Sequence, residues 1–209
     1  MAPGCSPGPA IAGSDFQCQG SIGLNRASAR SDKERLKREG LFVTTKVWHD
    51  QLAPDVLDRA FDVSRRKVKL DYVDLYMIHW PNRDMDMAAT LEALLELREG
   101  GLTRAIGVCN FSLPMIRRAI EEIGAPIACH QVEYHPFLSQ APMLAYLRSR
   151  SIPLTAYAPL AQGRAANDAT LAAVGRKHDA TAAQVAIASA GPRGRHRDPQ
   201  VGPAGKPEG

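Results

Sequence analysis

The stretches LFVTTKVWHD at residues 41–50 and DYVDLYMIHWPN at residues 71–82 decide the predicted fold. Each reads as a β-strand that ends near a side chain capable of proton transfer, Lys46 in the first and His79 in the second. In a parallel sheet closed into a barrel, reactive side chains lie where strands end and loops begin. We therefore expect Lys46 and His79 to meet at one end of such a barrel.

Strand-like and helix-like segments continue to alternate along the middle of the chain. Further strand-like runs are TRAIGVCNF at 103–111, IACHQVEY at 127–134 and IPLTAYAPL at 152–160. This alternation predicts an α/β fold with a parallel sheet, and about five βα units in series favour an incomplete (β/α)8 barrel of the TIM type. An open doubly wound sheet is the alternative, but no glycine-rich phosphate loop follows the first strand.

Helix-like periodicity separates these strands, and glycines mark two of the expected helix ends. The predicted helices include 87–101, 113–124, 141–150 and 167–179. Because glycine adopts the left-handed conformation at low cost, we expect it to cap the first two of these helices. The expected capping residues are Gly100, Gly101 and Gly124.

The two ends of the sequence differ in composition from the middle. They predict an irregular or disordered segment over 1–40 and a disordered tail over 191–209, on either side of a partial barrel over 41–190. The abrupt change to Gly, Pro and Arg suggests the hypothesis that the tail is the product of a shifted reading frame. Sequencing the DNA around the Ser189 codon tests this hypothesis, and an uninterrupted frame in independent clones would contradict it.

Composition and charge exclude several classes of protein. The chain has 209 residues and a formal net charge of +4, with basic runs at 26–38 and 193–206 that lack interleaved aromatic residues. We therefore expect no nucleic-acid binding. No run of about 18 apolar residues and no secretory signal pattern is present, which predicts a cytoplasmic protein without a membrane span. We expect it to be monomeric when folded.

The four cysteines have no metal-like spacing and are expected to be reduced thiols rather than a disulfide framework. They are Cys5, Cys18, Cys109 and Cys129. His130 and His135 flank Gln131, but no third ligand accompanies them in the sequence. We therefore predict no metal site.

The residues at the ends of the predicted strands form a chemically coherent set. Lysine and histidine suit proton transfer, side-chain amides suit a carboxamide, tyrosine suits stacking on a flat ring, and tryptophans suit an apolar pocket wall. The set consists of Lys46, Trp48, His79, Trp80, Cys109, Asn110, Gln131 and Tyr157.

Together with its order and spacing, this set resembles the aldo-keto reductases. The matching strings are FVTTKVW, LDYVDLYMIHWP, GLTRAIGVCNF, HQVEYHPFL, LTAYAPLAQG and ATAAQVAIA, and the sequence is most similar to the bacterial 2,5-diketo-gluconate reductase branch. The resemblance implies a barrel enzyme that reduces small aldehydes and ketones with NADPH, on substrates such as 2,5-diketo-gluconate or methylglyoxal. By position, Lys46 and His79 would be catalytic, and Trp48 and Trp80 would line the substrate pocket.

The resemblance also implies five cofactor-binding residues. Cys109, Asn110 and Gln131 would hold the nicotinamide carboxamide. Tyr157 would stack on the nicotinamide ring, and Leu160 would lie along the cofactor.

Two parts of the family pattern are absent from this sequence. The family carries a catalytic tyrosine and an aspartate in a string like DTAxxYGNE, whereas no such string occurs before Lys46 and no tyrosine precedes Tyr72. The family's lysine and serine for the 2′-phosphate are also absent from 191–209. We therefore expect weak NADPH binding and little or no turnover. The alternatives are a non-catalytic binding or regulatory subunit of barrel type and an inactive gene remnant.

Overall fold

The computed structural model describes residues 38–190. The predicted tail 191–209 lies outside them, as does the predicted irregular segment except for its last three residues, which form a 3-10 turn at Arg38–Gly40. The five strands are β1 Thr44–Val47, β2 Val73–Ile78, β3 Thr103–Cys109, β4 Ile127–Glu133 and β5 Leu154–Tyr157. The six α-helices are α1 Pro54–Val68, α2 Met87–Glu99, α3 Leu113–Arg117, α4 Ala141–Ser149, α5 Ala169–Arg176 and α6 Ala182–Ala190.

The five strands form one parallel sheet in which each strand pairs with the next one in the chain. Lys46 lies opposite Met77, which lies opposite Gly107, and Gln131 lies opposite Thr155. A doubly wound sheet would reverse its strand order at a switch point, so this order contradicts that alternative. The predicted series of five βα units is confirmed.

The two faces of the sheet have different roles. The face toward the helices carries the main core, whose largest fully buried side chains include Leu57, Phe61, Tyr76, Ile78, Leu91, Ile106, Ile116 and Leu147. Alternate residues point to the opposite, inner face, where a small apolar cluster contains Leu75, Met77 and Cys109. A Cβ at Gly107 would meet the Cys129 carbonyl oxygen at 2.9 Å, so only glycine allows this close approach.

The helix boundaries follow local sequence signals, with several departures from the predictions. Gly101 and Gly124 adopt the left-handed conformation with φ of 72° and 75°, but Gly100 has φ −69° and the prediction of a left-handed cap there is wrong. The predicted helix 113–124 divides into α3 and a π-helical turn at Arg118–Glu122. Helices α1 and α6 were not among the predicted helices, although Pro54 at the start of α1 was a visible signal.

No helix among residues 38–190 combines the length and apolarity needed to cross a bilayer.

A buried carboxylate ties the start of the described chain to the amino-terminal end of β2. Asp74 on β2, with its side chain 3% exposed, pairs with Arg38 at 2.8 Å and Arg104 at 3.1 Å. It also accepts a hydrogen bond from the Val43 backbone N–H at 2.8 Å. Both guanidinium groups contact the Tyr72 ring, at 3.9 and 4.5 Å from its centroid. Because the carboxylate is buried and multiply bonded, it fixes β1 against β2 and β3.

We predict that Asp74→Asn lowers the free energy of unfolding by about 2–3 kcal/mol, because it leaves two arginines without their shared buried anion. Urea denaturation measures the change. The control is Asp55→Asn, whose pair with Arg59 has side chains 71% and 70% exposed and should contribute little. Equal stability of the two variants would contradict the prediction.

His130 on β4 is fully buried on the helix-facing side of the sheet. Within residues 38–190 neither of its ring nitrogens has a hydrogen-bond partner. Burial lowers the pKa of His130 to about 4, because the protonated imidazole would be charged in an apolar environment. The folded chain therefore holds His130 as a neutral imidazole at neutral pH.

This burial predicts a loss of stability in acid. In the unfolded chain the imidazole titrates at about 6.5, whereas in the folded chain it titrates at about 4. The free energy of unfolding is therefore highest above about pH 6.5 and falls by about 3 kcal/mol in total as the pH drops toward about 4. His130→Leu removes the titrating group and should give a flatter profile of unfolding free energy between about pH 7 and pH 4. Parallel profiles for the two proteins would refute this assignment.

Candidate functional site

The carboxyl ends of the parallel strands bring the predicted site residues to one edge of the sheet. Three of these residues lie on strands, which are Lys46 on β1, Gln131 on β4 and Tyr157 on β5, and His79 follows β2 directly. Asn110 follows β3 directly. Hydrogen bonds that use both side-chain and backbone atoms join these five residues, so the structure brings them together as one cluster.

Lys46 and Gln131 form a direct contact across the inner face of the sheet. The Lys46 Nζ donates a hydrogen bond of 2.5 Å to the Gln131 Oε1, and the Cys109 Sγ lies 3.6 Å from the same oxygen. Burial raises the pKa of the Cys109 thiol to about 12, so Cys109 stays protonated and can donate. The side-chain amide oxygen of Gln131 therefore already has hydrogen-bond donors within this chain.

His79 lies at the end of β2 against an aromatic wall. Its ring packs edge-on against Trp48, with 4.8 Å between ring centroids. Burial and the positive charge of Lys46 both lower the pKa of His79 below its ordinary value. At neutral pH the imidazole is therefore neutral, with one N–H to donate and one nitrogen to accept.

Asn110 connects His79 to Tyr157. Its Nδ2 donates to the His79 carbonyl oxygen at 2.9 Å, and its Oδ1 accepts from the Tyr157 hydroxyl at 2.9 Å. Burial and, after it, the negative charge of Glu133 raise the pKa of Tyr157. The phenol therefore remains protonated and serves as the donor in this bond.

The remaining predicted residues lie around the cluster without a direct side-chain bond to it. Trp48 and Trp80 are 40% and 41% exposed and form an open wall at the ends of β1 and β2. Leu160 is half-buried in the loop after β5. A cavity of about 560 Å³ lies beside that loop and is lined by Phe137, Gln162, Gly163, Arg164, Asn167 and Asp168.

Two polar residues at this edge were not among the predicted site residues. Glu133 lies on β4 near Tyr157, and Thr155 on β5 contacts the Cys129 Sγ at 3.2 Å. The alternation Cys129, Gln131, Glu133 was a usable signal, because residues two apart in a strand share one face.

The histidines that flank Gln131 do not converge on a metal centre. His130 is buried in the helix-facing core, whereas His135 contacts Glu133 at 3.3 Å and accepts a hydrogen bond from the Phe137 backbone. In the part of the chain that the structure describes, no three His, Cys, Asp or Glu side chains form a group that could hold a metal ion.

The family model described as "Aldo/keto reductase family" matches residues 22–191. The chain belongs to the aldo/keto reductase family. The family's barrel fold also accounts for the parallel strand order. In a crystal structure of an aldo-keto reductase from a Medee basin deep-sea metagenome library, the matched region is 35% identical, with a TM-score of 0.69, and covers 74% of this chain and 58% of that one.

Several curated reductases are similar in sequence. Methylglyoxal reductase DkgB of Escherichia coli O157:H7 is 40% identical over 154 residues, which cover 72% of this chain and 58% of that protein. Glyoxal reductase of Bacillus subtilis (strain 168) is 37% identical over 150 residues, which cover 72% of this chain and 54% of that protein. A structure named for a 2,5-diketo-D-gluconic acid reductase B is 41% identical, with a TM-score of 0.69, and covers 73% of this chain and 54% of that one. The chain therefore spans just over half the length of these relatives.

The charge of Lys46 beside His79 gives a direct test of the cluster. We predict that Lys46→Met raises the pKa of His79 without restoring it to about 6.5, because burial, the larger cause, remains. An NMR titration of the His79 ring measures the shift. Lys67→Met, which removes an exposed charge on α1, should leave the His79 titration unchanged. An unchanged or lowered pKa in Lys46→Met would show that the two groups are not neighbours.

Proposed function

We propose that this chain carries the nicotinamide pocket and part of the catalytic site of an NADPH-dependent reductase of small aldehydes and ketones. The observation that supports the proposal is the bonded cluster of Lys46, His79, Asn110, Gln131 and Tyr157 at one edge of the sheet. It combines charge, proton donors, amides and an aromatic ring, which are the groups that carbonyl reduction with a nicotinamide requires.

The residues present fit a nicotinamide. The Asn110 side chain has two amide hydrogens and two oxygen lone pairs. One hydrogen bonds to the His79 carbonyl oxygen and one lone pair accepts from the Tyr157 hydroxyl, so one hydrogen and one lone pair remain for a carboxamide. Tyr157 offers a half-buried ring for stacking, and Leu160 follows it in the next loop. When bound, NADPH supplies the hydride that reduces a carbonyl carbon. The half-buried Tyr157 ring and the Asn110 amide would hold its nicotinamide end.

Lys46 and His79 would act on the substrate oxygen. A neutral His79 can donate its N–H to the carbonyl oxygen, and the Lys46 ammonium stabilises the negative charge that develops there. Trp48, packed against His79, would limit water at the reacting group. These roles need Lys46 to turn from Gln131 toward the substrate.

Small dicarbonyl compounds are the substrate class that we propose. The support is the set of relatives named methylglyoxal reductase and glyoxal reductase, together with the structure named for a 2,5-diketo-D-gluconic acid reductase. Two tryptophans and a small polar cluster suit such a compact substrate. We also propose that the protein is cytoplasmic and monomeric and acts on a small molecule.

The missing tyrosine limits the rate that we expect. No tyrosine precedes Tyr72 in the sequence, so the family's usual proton donor beside Lys46 is not supplied by the residues before it. General acid catalysis contributes about 10²–10⁴-fold to a rate, and we expect a deficit of that order against full-length relatives. NADPH binding without measurable turnover would favour the alternative of a binding or regulatory subunit.

The test is a fluorescence titration with NADPH combined with an assay of NADPH oxidation in the presence of methylglyoxal. We predict weak but measurable binding, and Tyr157→Ala should raise the dissociation constant by about two- to tenfold because a stacking surface is lost. Tyr134→Ala, which removes another half-buried tyrosine near the end of β4, should have little effect.

One outcome would contradict the proposed function, and another would contradict only the expected rate deficit. Absence of NADPH binding by the parent chain would remove the cofactor role. Tight binding with rates equal to those of full-length relatives would show that the expected deficit is wrong.

A further inference from the structure

Asn110 makes three hydrogen bonds to three other strand ends. Its Nδ2 donates to the His79 carbonyl oxygen at 2.9 Å, its Oδ1 accepts from the Tyr157 hydroxyl at 2.9 Å, and its backbone N–H donates to the Gln131 carbonyl oxygen at 2.9 Å. We refer to Asn110 and these three bonds as the Asn110 bracket. The bracket joins the carboxyl ends of β2, β4 and β5 to the end of β3.

The backbone of Asn110 restricts which residues can form the bracket. Its φ of 59° lies in the left-handed region, which asparagine tolerates and β-branched residues do not. Glycine can adopt this backbone but offers no side-chain bonds. Asparagine therefore combines the required backbone with a donor toward His79 and an acceptor toward Tyr157.

Within residues 38–190, packing leaves Tyr157 on the outer strand β5 less constrained than the residues of β2. All four residues of β5 are only half-buried, whereas all six residues of β2 are buried. The hydroxyl bond to Asn110 therefore supplies orientation that the surroundings of β5 do not. The Asn110 side chain also bonds to the His79 carbonyl oxygen, so the ends of β2 and β5 are held by the same residue.

We propose that Asn110 is a positioning residue that holds the Tyr157 ring and the His79 strand end in one geometry. The proposal rests on the proposed function, in which Tyr157 stacks on nicotinamide and His79 meets the substrate oxygen. It goes beyond the predicted role of Asn110 as a direct ligand of the carboxamide, because here Asn110 acts through two other residues.

The variant Tyr157→Phe separates the two roles. Phenylalanine keeps a ring that can stack, so a purely direct role of Asn110 predicts parent-like NADPH binding. The bracket predicts that loss of the hydroxyl bond raises the dissociation constant by about two- to tenfold. Asn110→Gly keeps the left-handed backbone while removing both side-chain bonds, and the double variant should bind no worse than Asn110→Gly alone.

A cofactor-free measurement tests the bracket itself. Thermal unfolding of the parent, Asn110→Gly, Tyr157→Phe and the double variant forms a double-mutant cycle. The bracket predicts that the losses in melting temperature are not additive, because either change removes the same bond. Tyr134→Phe is the matched control, and it should show no coupling to Asn110→Gly.

Fluorescence anisotropy of NADPH at saturation distinguishes positioning from general destabilisation. A nicotinamide held on a fixed Tyr157 ring should give high anisotropy, and Tyr157→Phe should lower it although the variant remains folded. Unchanged affinity and anisotropy in Tyr157→Phe would overturn the proposal.

The outcomes separate this proposal from the one on which it rests. An additive thermal cycle in a chain that binds NADPH would refute the bracket alone. A coupled cycle in a parent chain that does not bind NADPH would refute the proposed cofactor role, and with it the nicotinamide part of this proposal.

Discussion

Parallel pairing of five strands in chain order is the constraint on which the site depends. It places the carboxyl end of every strand along one edge, so residues far apart in sequence become neighbours. The contact between Lys46 and Gln131 spans 85 positions in the chain, and the contact between Asn110 and Tyr157 spans 47. Gly107 supports this arrangement, because its missing Cβ lets β3 and β4 approach closely on the inner face.

The parallel strand order and the grouping of these side chains at one edge could be predicted from the sequence, because both depend on local patterns. Alternating strand and helix periodicity identified the βα units, and their positions at strand ends predicted that Lys46, His79, Asn110 and Gln131 would lie at one edge of the sheet. The partners of these side chains could not be predicted in the same way. Pairing of Lys46 with Gln131 depends on the register of β1 and β4 across two intervening strands, which no local pattern encodes.

Local geometry explains the other differences between the predictions from sequence and the structure. Gly100 and Gly101 are adjacent, and composition alone does not say which of them leaves the helical conformation. The orientation of Tyr157 was likewise hidden, because it depends on a left-handed residue at Asn110 whose side chain could bond in several directions. Such features arise from tertiary contacts rather than from propensity.

The burial gradient across the sheet has a consequence for how the site responds to a ligand. The residues of β2 are all buried, whereas most residues of β1 and all of β5 are half-buried. Strands with fewer buried contacts open locally at lower free-energy cost. Within residues 38–190, His79 therefore follows the fully buried strand β2, while Lys46 and Tyr157 lie on the two outer strands. In this part of the chain we expect adjustment to a bound molecule to occur more in β1 and β5 than in β2.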